Sequence, residues 1–340
     1  MTPLIAMPGP WLPEAIPGRE PDSAILPPLP YLSRLLQRGR RLPDAPDWRA
    51  AVLQALGLPS QLPPAVVAAR ATGLAAGEAL CFAAPLHLVA GMSRVHLAPG
   101  GRLRFDAEEE SLWREAFNAE FASSGVSLLA AAPAGGWMLS APFAAAARDV
   151  APEGLDGAPL ERRAAQGAQE KALRRLAAES EMWLAAHPLN RRREAGGAPA
   201  FNALWFWGGA QVQVLPALRR PLQLIANGTH DAWLGGLAAH AAVEVRCAGD
   251  FTSALQSIDR HADGDVLLVP AVDADAVPLQ QWQGIEEQWI EPAMRAVEDG
   301  RIAGLRVQIG PAAWQWPVRG FAAWLRRDRR SWWQIAGVAR

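Results

Sequence analysis

Residues 181–210 read EMWLAAHPLNRRREAGGAPAFNALWFWGGA. Helical periodicity runs up to Ala186, Pro188 stops it, and three arginines follow at 191–193. A spacer then leads into an apolar aromatic run, ALWFW at 203–207, closed by Gly208 and Gly209. A helix that stops, a polar turn and a run with strand composition predict a helix-to-strand passage.

C-terminal to this passage the pattern alternates. LQLIA (222–226), AVEVR (242–246), DVLLVPAV (265–272) and LRVQI (305–309) have strand character, as does ALWFW. Helical stretches at 231–240, 252–261 and 278–300 lie between them, with Pro292 expected to kink or restart the last. Such alternation predicts a mostly parallel sheet with helices on both faces, and the almost wholly apolar DVLLVPAV suits a strand buried on both sides.

N-terminal to it, the helix from Leu160 to about Ala186 carries Leu173, Leu176, Ser180, Trp183 and Leu184 on one side. Further back, Asp106 and Glu109 have capping-box spacing before a helix whose apolar face is Leu112, Trp113, Ala116, Phe117 and Phe121. The stretch 77–101 predicts a strand pair turning at Pro99-Gly100-Gly101, and VSLLAAA with GWMLSAP predicts a hairpin. Short helices are expected at 31–37 and 47–56, while the proline-rich residues 1–30, with PPLP at 27–30, read as irregular backbone lying over the domain. The fold class is therefore α/β: a C-terminal mostly parallel sheet with helices on both faces, preceded by a smaller α+β N-terminal domain. The boundaries expected from composition are 1–150 for the first domain, 151–160 for a linker, 161–318 for the α/β domain and 319–340 for a basic, Trp-rich tail.

Composition bounds the function. A formal net charge of -1 gives no global field for nucleic acid or an anionic membrane. Lys171 is the single lysine among 33 basic residues, so the chain has almost no material for a P-loop or Schiff-base lysine. Cys81 and Cys247 are too few and too isolated for a disulfide framework or a cysteine zinc site. The opening residues lack a basic n-region and are broken by prolines, and no window reaches the ~18 apolar residues of a span. The expectation is a cytoplasmic protein with no membrane partner.

In open parallel sheets ligands sit beyond the carboxyl ends of strands. On that reading Gly208 and Gly209, directly after ALWFW, stand where a ligand can approach backbone closely. GGAQVQ is not GxGxxG, however, and a tight turn is the plainer use. Asn190, Arg191 and Asn202, with His187, Arg192 and Arg193, lie at the other end of that strand and offer a site for a phosphate or carboxylate. Capping and solvated surface are the competing roles. Asp273 and Asp275 follow DVLLVPAV at another strand end, with loop capping as their alternative. Asp259, His261, Asp263 and Gly264 begin like an EF-hand loop, but its twelfth position is Pro270, where a glutamate is required. No GxSxG, HExxH, CxxC or P-loop occurs. The residues assign no catalytic group, no metal ligand and no cofactor. The tail clusters Arg326, Arg327, Arg329 and Arg330 among tryptophans, which suits either phosphate contact with base stacking or an amphipathic helix covering a core.

With HPLNRRREAGGAPAFNALWFWGGA in view, the chain resembles the RpfE-type regulatory protein family, which is related to cofactor-independent phosphoglycerate mutase. The family's hallmark is a helix ending in HP-N-R, a short polar spacer, then N-LW-WGGG. His187, Pro188, Asn190 and Arg191 match, as do Asn202, Leu204, Trp205, Trp207, Gly208 and Gly209, while Ala210 departs at the third glycine. PLHL (85–88), the Trp113 helix and GWML (136–139) are also similar, so the resemblance covers most of the chain. It implies an alkaline-phosphatase-like α/β core, whose enzymes use two metal ions held by Asp and His with a serine or threonine nucleophile. This sequence has no such N-terminal Asp and Ser arrangement and no paired histidines near Asp273. The resemblance therefore implies a non-catalytic regulatory or binding protein, whose partner is an unknown protein or a small anionic ligand. A metal-dependent mutase or related phosphotransferase, and nucleic-acid binding through the Arg/Trp tail, are the alternatives.

Overall fold

The computed structural model describes residues 1–7, 27–91, 94–130, 136–155, 160, 165–227, 231–259, 263–270, 278–309 and 312–317. Along them run strands β1 (Leu4–Met7), β2 (Arg40–Arg41), β3 (Ala79–Ala90), β4 (Val95–Arg102), β5 (Ser127–Ala130), β6 (Trp137–Ser140), β7 (Ala203–Gln211), β8 (Leu222–Ala226), β9 (Val245–Cys247), β10 (Asp265–Val269), β11 (Leu305–Ile309) and β12 (Ala312–Trp316). Two compact units result, one drawn from 1–61, 216–229 and 241–340, the other from 62–215 and 230–240. This is not the sequential division at about residue 150. Local composition marks loops, whereas units are set by pairings between distant residues.

The first unit holds a seven-stranded sheet in the order β2-β12-β11-β1-β10-β8-β9. Its five strands from β11 to β9 are parallel, and β12 and β2 add antiparallel at one edge. The opening residues, expected to be irregular, supply β1 at its centre. Leu4 and Ile5 pair with Leu267 and Leu268 on one side, and Leu4 through Met7 with Arg306 through Ile309 on the other. The four residues LIAM are too short for a periodicity to declare itself, but they are buried on both faces, as an interior parallel strand must be.

On one face Ile5, Met7, Val307 and Ile309 share a core with helices Pro30–Arg38 and Phe251–Ser257 and with Trp282, Trp289, Ala293 and Met294. Helix Trp48–Ala55 packs against β1 and β11 and buries Val52 and Leu53. Asp47 caps it by accepting the Ala50 N–H at 2.8 Å. The long C-terminal helix runs Pro278–Ile285, widens into a π turn over Glu286–Ile290 and restarts at Glu291–Glu298, with Pro292 in the first turn of the restart. No described helix is long and apolar enough to cross a membrane.

The second unit is built on an antiparallel sheet. β3 pairs on one side with β7, and on the other with β6 along its first half and β4 along its second; β5 completes the sheet beside β6. The ALWFW strand therefore belongs here and not to the parallel sheet. β4 runs through Pro99-Gly100-Gly101, so the expected turn is strand, and the chain reverses between Ala90 and Val95 instead. Helix Ala107–Glu120 buries Trp113 and Phe117, but Leu112, expected on the same face, is exposed. Asp106 caps it at the Glu109 N–H, 2.8 Å. The Glu109 side chain does not return that bond. Its Oε1 accepts from Trp113 Nε1 at 3.1 Å and Arg193 Nη1 at 2.5 Å. Helix Gly167–Ala186 starts later than the pattern implied and buries Leu173, Leu176, Ser180 and Leu184 as expected.

Candidate functional site

Residues 184–202 form a clasp of hydrogen bonds. Pro188 ends one helix and opens another, Pro188–Ala195, because a proline at the first helical position gives up only an N–H that has no intrahelical partner. His187 serves both helices: its N–H donates to Leu184 O at 3.1 Å, and its Nδ1 accepts the Leu189 N–H at 3.3 Å. Asn190 is buried, with Nδ2 donating to Leu184 O and Phe201 O, each at 2.7 Å, and Oδ1 accepting from Phe201 N at 2.8 Å. Asn202 repeats the device on β3, with Nδ2 to Leu88 O and Leu88 N to Oδ1, both at 2.8 Å. Asn118 repeats it on Leu128 of β5, at 3.0 and 2.7 Å. In each case one carboxamide offers a donor and an acceptor side by side, which is what one residue's backbone offers in return.

The arginines divide. Arg191 is exposed and donates to Ala186 O at 3.4 Å, closing the end of helix Gly167–Ala186. Arg193 lies over the Phe105 ring at 5.0 Å, pairs with Glu109 and donates to Pro199 O at 2.9 Å. His187 is flanked by Trp113 and Trp183, ring centroids 4.9 and 4.7 Å away. Partial burial pushes its imidazole below the usual histidine value, and Glu120 opposes that shift. The described partners of Asn190, Arg191 and Asn202 are backbone atoms: Leu184 and Phe201 for the first, Ala186 for the second and Leu88 for the third.

Gly208 and Gly209 lie inside β7, which continues to Gln211, and not beyond a strand end. The register with β3 shifts between Leu80 and Phe82, and Gly208 takes φ +63°, the left-handed first residue of a β-bulge. Gly209 then meets the turn Ala144–Ala146. Its N–H donates to Ala147 O at 2.9 Å, and a Cβ there would fall 2.3 Å from Ala144 O. The glycines admit backbone of this same chain at the place where a ligand was expected.

Beside that bulge is a recess of about 590 Å³ whose polar lining is Arg148, Gln166, Gln169, Glu170, Gln211 and Gln213. Arg148 donates to Gly209 O at 3.3 Å, and Glu170 accepts the Gln166 N–H at 2.5 Å. Arg148 stands alone in an alanine-rich run, AAAARDV, and nothing in its spacing marks it. It reaches the recess only because the bulge draws the 144–147 turn onto β7.

Asp273 and Asp275 lie outside the described residues, as do His261 and the tail 318–340. Asp263 pairs with Arg220. Among the described residues no group of three His, Cys, Asp or Glu side chains could hold a metal ion. A buried carboxylate that spacing did not reveal is Glu286, on the π turn. It accepts the Tyr31 N–H at 2.7 Å and the Leu32 N–H at 3.0 Å, at the start of helix Pro30–Arg38. Burial raises its carboxyl above the usual range, against the pull of those two backbone bonds.

No family model and no curated protein matches the chain. Among solved structures it is similar to the cofactor-independent phosphoglycerate mutase from Thermoplasma acidophilum DSM 1728, at 15% identity and a TM-score of 0.42, covering 99% of this chain and 98% of that one. It is also similar to the PH0037 protein from Pyrococcus horikoshii, at 14% identity and a TM-score of 0.47, covering 92% and 85%. At identities this low neither carries an activity across.

Proposed function

We propose that this chain is a non-catalytic regulatory or binding protein of the RpfE type, with a mutase-like α/β unit, and that it takes a small anionic ligand in the Arg148 recess. The observation that supports this reading is the recess lining: one guanidinium and four glutamine amides, with its one carboxylate, Glu170, bonded to the Gln166 N–H. Amides and guanidinium groups bind anions and hydrogen-bonding ligands but exchange no proton near neutral pH. Arginine's five donors exceed what the Gly209 carbonyl accepts.

The test has two arms. Purified protein is assayed for phosphoglycerate mutase and phosphatase turnover with added Mg²⁺ or Mn²⁺, and none is expected. Binding of inorganic phosphate and of phosphoglycerate is then measured by calorimetry for the protein and for Arg148→Gln, with a loss of about tenfold or more expected in the variant. Metal-dependent turnover would replace this reading with the phosphotransferase one, and binding indifferent to Arg148 would remove the recess.

A further inference from the structure

We infer that His187 is a proton-operated latch on the helix-to-strand passage: neutral, it holds helix Pro188–Ala195 by its cap; protonated, it releases it. The inference does not depend on the ligand or on the recess.

The geometry fixes the protonation state that the fold needs. A backbone N–H must meet an acceptor, so the Leu189 N–H, 3.3 Å from Nδ1, requires that nitrogen to carry no proton. Neutral imidazole then keeps its proton on Nε2. Protonation at Nδ1 turns the acceptor into a donor facing another donor, and the cap is lost. Asn190 sits one turn into the helix thus released, and its carboxamide joins Leu184 O to both backbone groups of Phe201, two residues before β7. Loosening the cap therefore loosens the start of that strand.

The surrounding charges oppose one another. Glu120, on helix Ala107–Glu120, favours the cation. The Trp113 and Trp183 rings, tilted against the imidazole with centroids 4.9 and 4.7 Å away, help to shield it from water. Glu109, which accepts from Trp113 Nε1, is neutralised by Arg193. On His187's own turn Arg191 donates to Ala186 O. The two helix dipoles nearly cancel, because His187 ends helix Gly167–Ala186 and begins Pro188–Ala195. Desolvation of the charged ring is the largest influence, so the balance favours the neutral form. A histidine lowered in this way contributes stability that is whole above its ordinary value, about 6.5, and lost as pH falls through the folded value.

The experiment is amide hydrogen exchange, as protection factors at Leu189, Asn190 and Phe201, between pH 7.5 and 5. In the wild type these are expected to fall by about fivefold across the window, the size of a lost helix cap. In His187→Asn, which caps without titrating, they are expected to stay level, and in His187→Ala to be low throughout. Wild type and His187→Asn following one curve overturns the latch. So does a His187→Ala protein as protected as the wild type at pH 7.5. Should the variants not fold, the wild type alone decides: the Leu189 amide shift must titrate with the midpoint of the His187 ring, and a Leu189 amide that ignores the ring overturns the inference.

Discussion

Asn190 shows how much a single polar side chain decides here. It is 5% exposed and serves three buried backbone atoms at once. Truncating it leaves two carbonyls and an N–H without that partner, so Asn190→Ala is expected to lower stability by about 2–3 kcal/mol in denaturant unfolding. Asn190→Asp is expected to be as damaging near neutrality, because it aims a carboxylate at Leu184 O and Phe201 O, and to recover partly in acid as the carboxyl gains a proton. A variant within about 0.5 kcal/mol of wild type would show that water replaces the bonds. The sequence singled out Asn190, Arg191 and Asn202 as candidates for an anion site. It did not show that their partners are carbonyls and N–H groups, because backbone atoms have no letter in a sequence.

At the scale of elements, helix starts and stops were the most legible. The Asp106 cap and the Pro188 stop are read directly, since each depends on neighbours within four residues. Strand ends were not. β7 extends past its diglycine because β3 supplies partners as far as Gln211, and that pairing spans more than a hundred residues. The link between the π turn and helix Pro30–Arg38 is of the same distant kind, made by Glu286 with the Tyr31 and Leu32 N–H groups. Its carboxyl is raised in the fold, chiefly by burial. A raised carboxyl contributes stability that is whole below its unfolded value and lost as pH rises through its folded one. Thermal unfolding of the wild type is therefore expected to weaken over a window from the ordinary glutamate range upward. Glu286→Gln is expected to remove that dependence while leaving an oxygen for the two N–H groups. Identical pH profiles in the two proteins would mean that Glu286 titrates alike folded and unfolded.

For the whole molecule, the decisive pairing is that of β1. Residues 4–7 lie between β10 and β11, so the first unit closes only when the two ends of its chain meet. Ile5 packs in the core beside Val307 and Leu268. Ile5→Ala is expected to cost about 2–5 kcal/mol, the range for a large-to-small change in a close-packed core. A cost below about 1 kcal/mol would mean that β1 contributes little to the sheet.

The sequence by itself determined the α/β class, the longer helices with the Asp106 cap and the Pro188 stop, the parallel character of 222–226, 265–269 and 305–309, and the distinctiveness of 181–210. These follow from periodicity and capping, which act over a few residues. Only the tertiary structure decided that ALWFW belongs to an antiparallel sheet, that LIAM is a central strand, that the diglycine receives the 144–147 turn, and that Arg148 lines a recess. Those outcomes depend on which distant backbone satisfies a given N–H or carbonyl. That choice is made by the folded chain as a whole, and no local pattern encodes it.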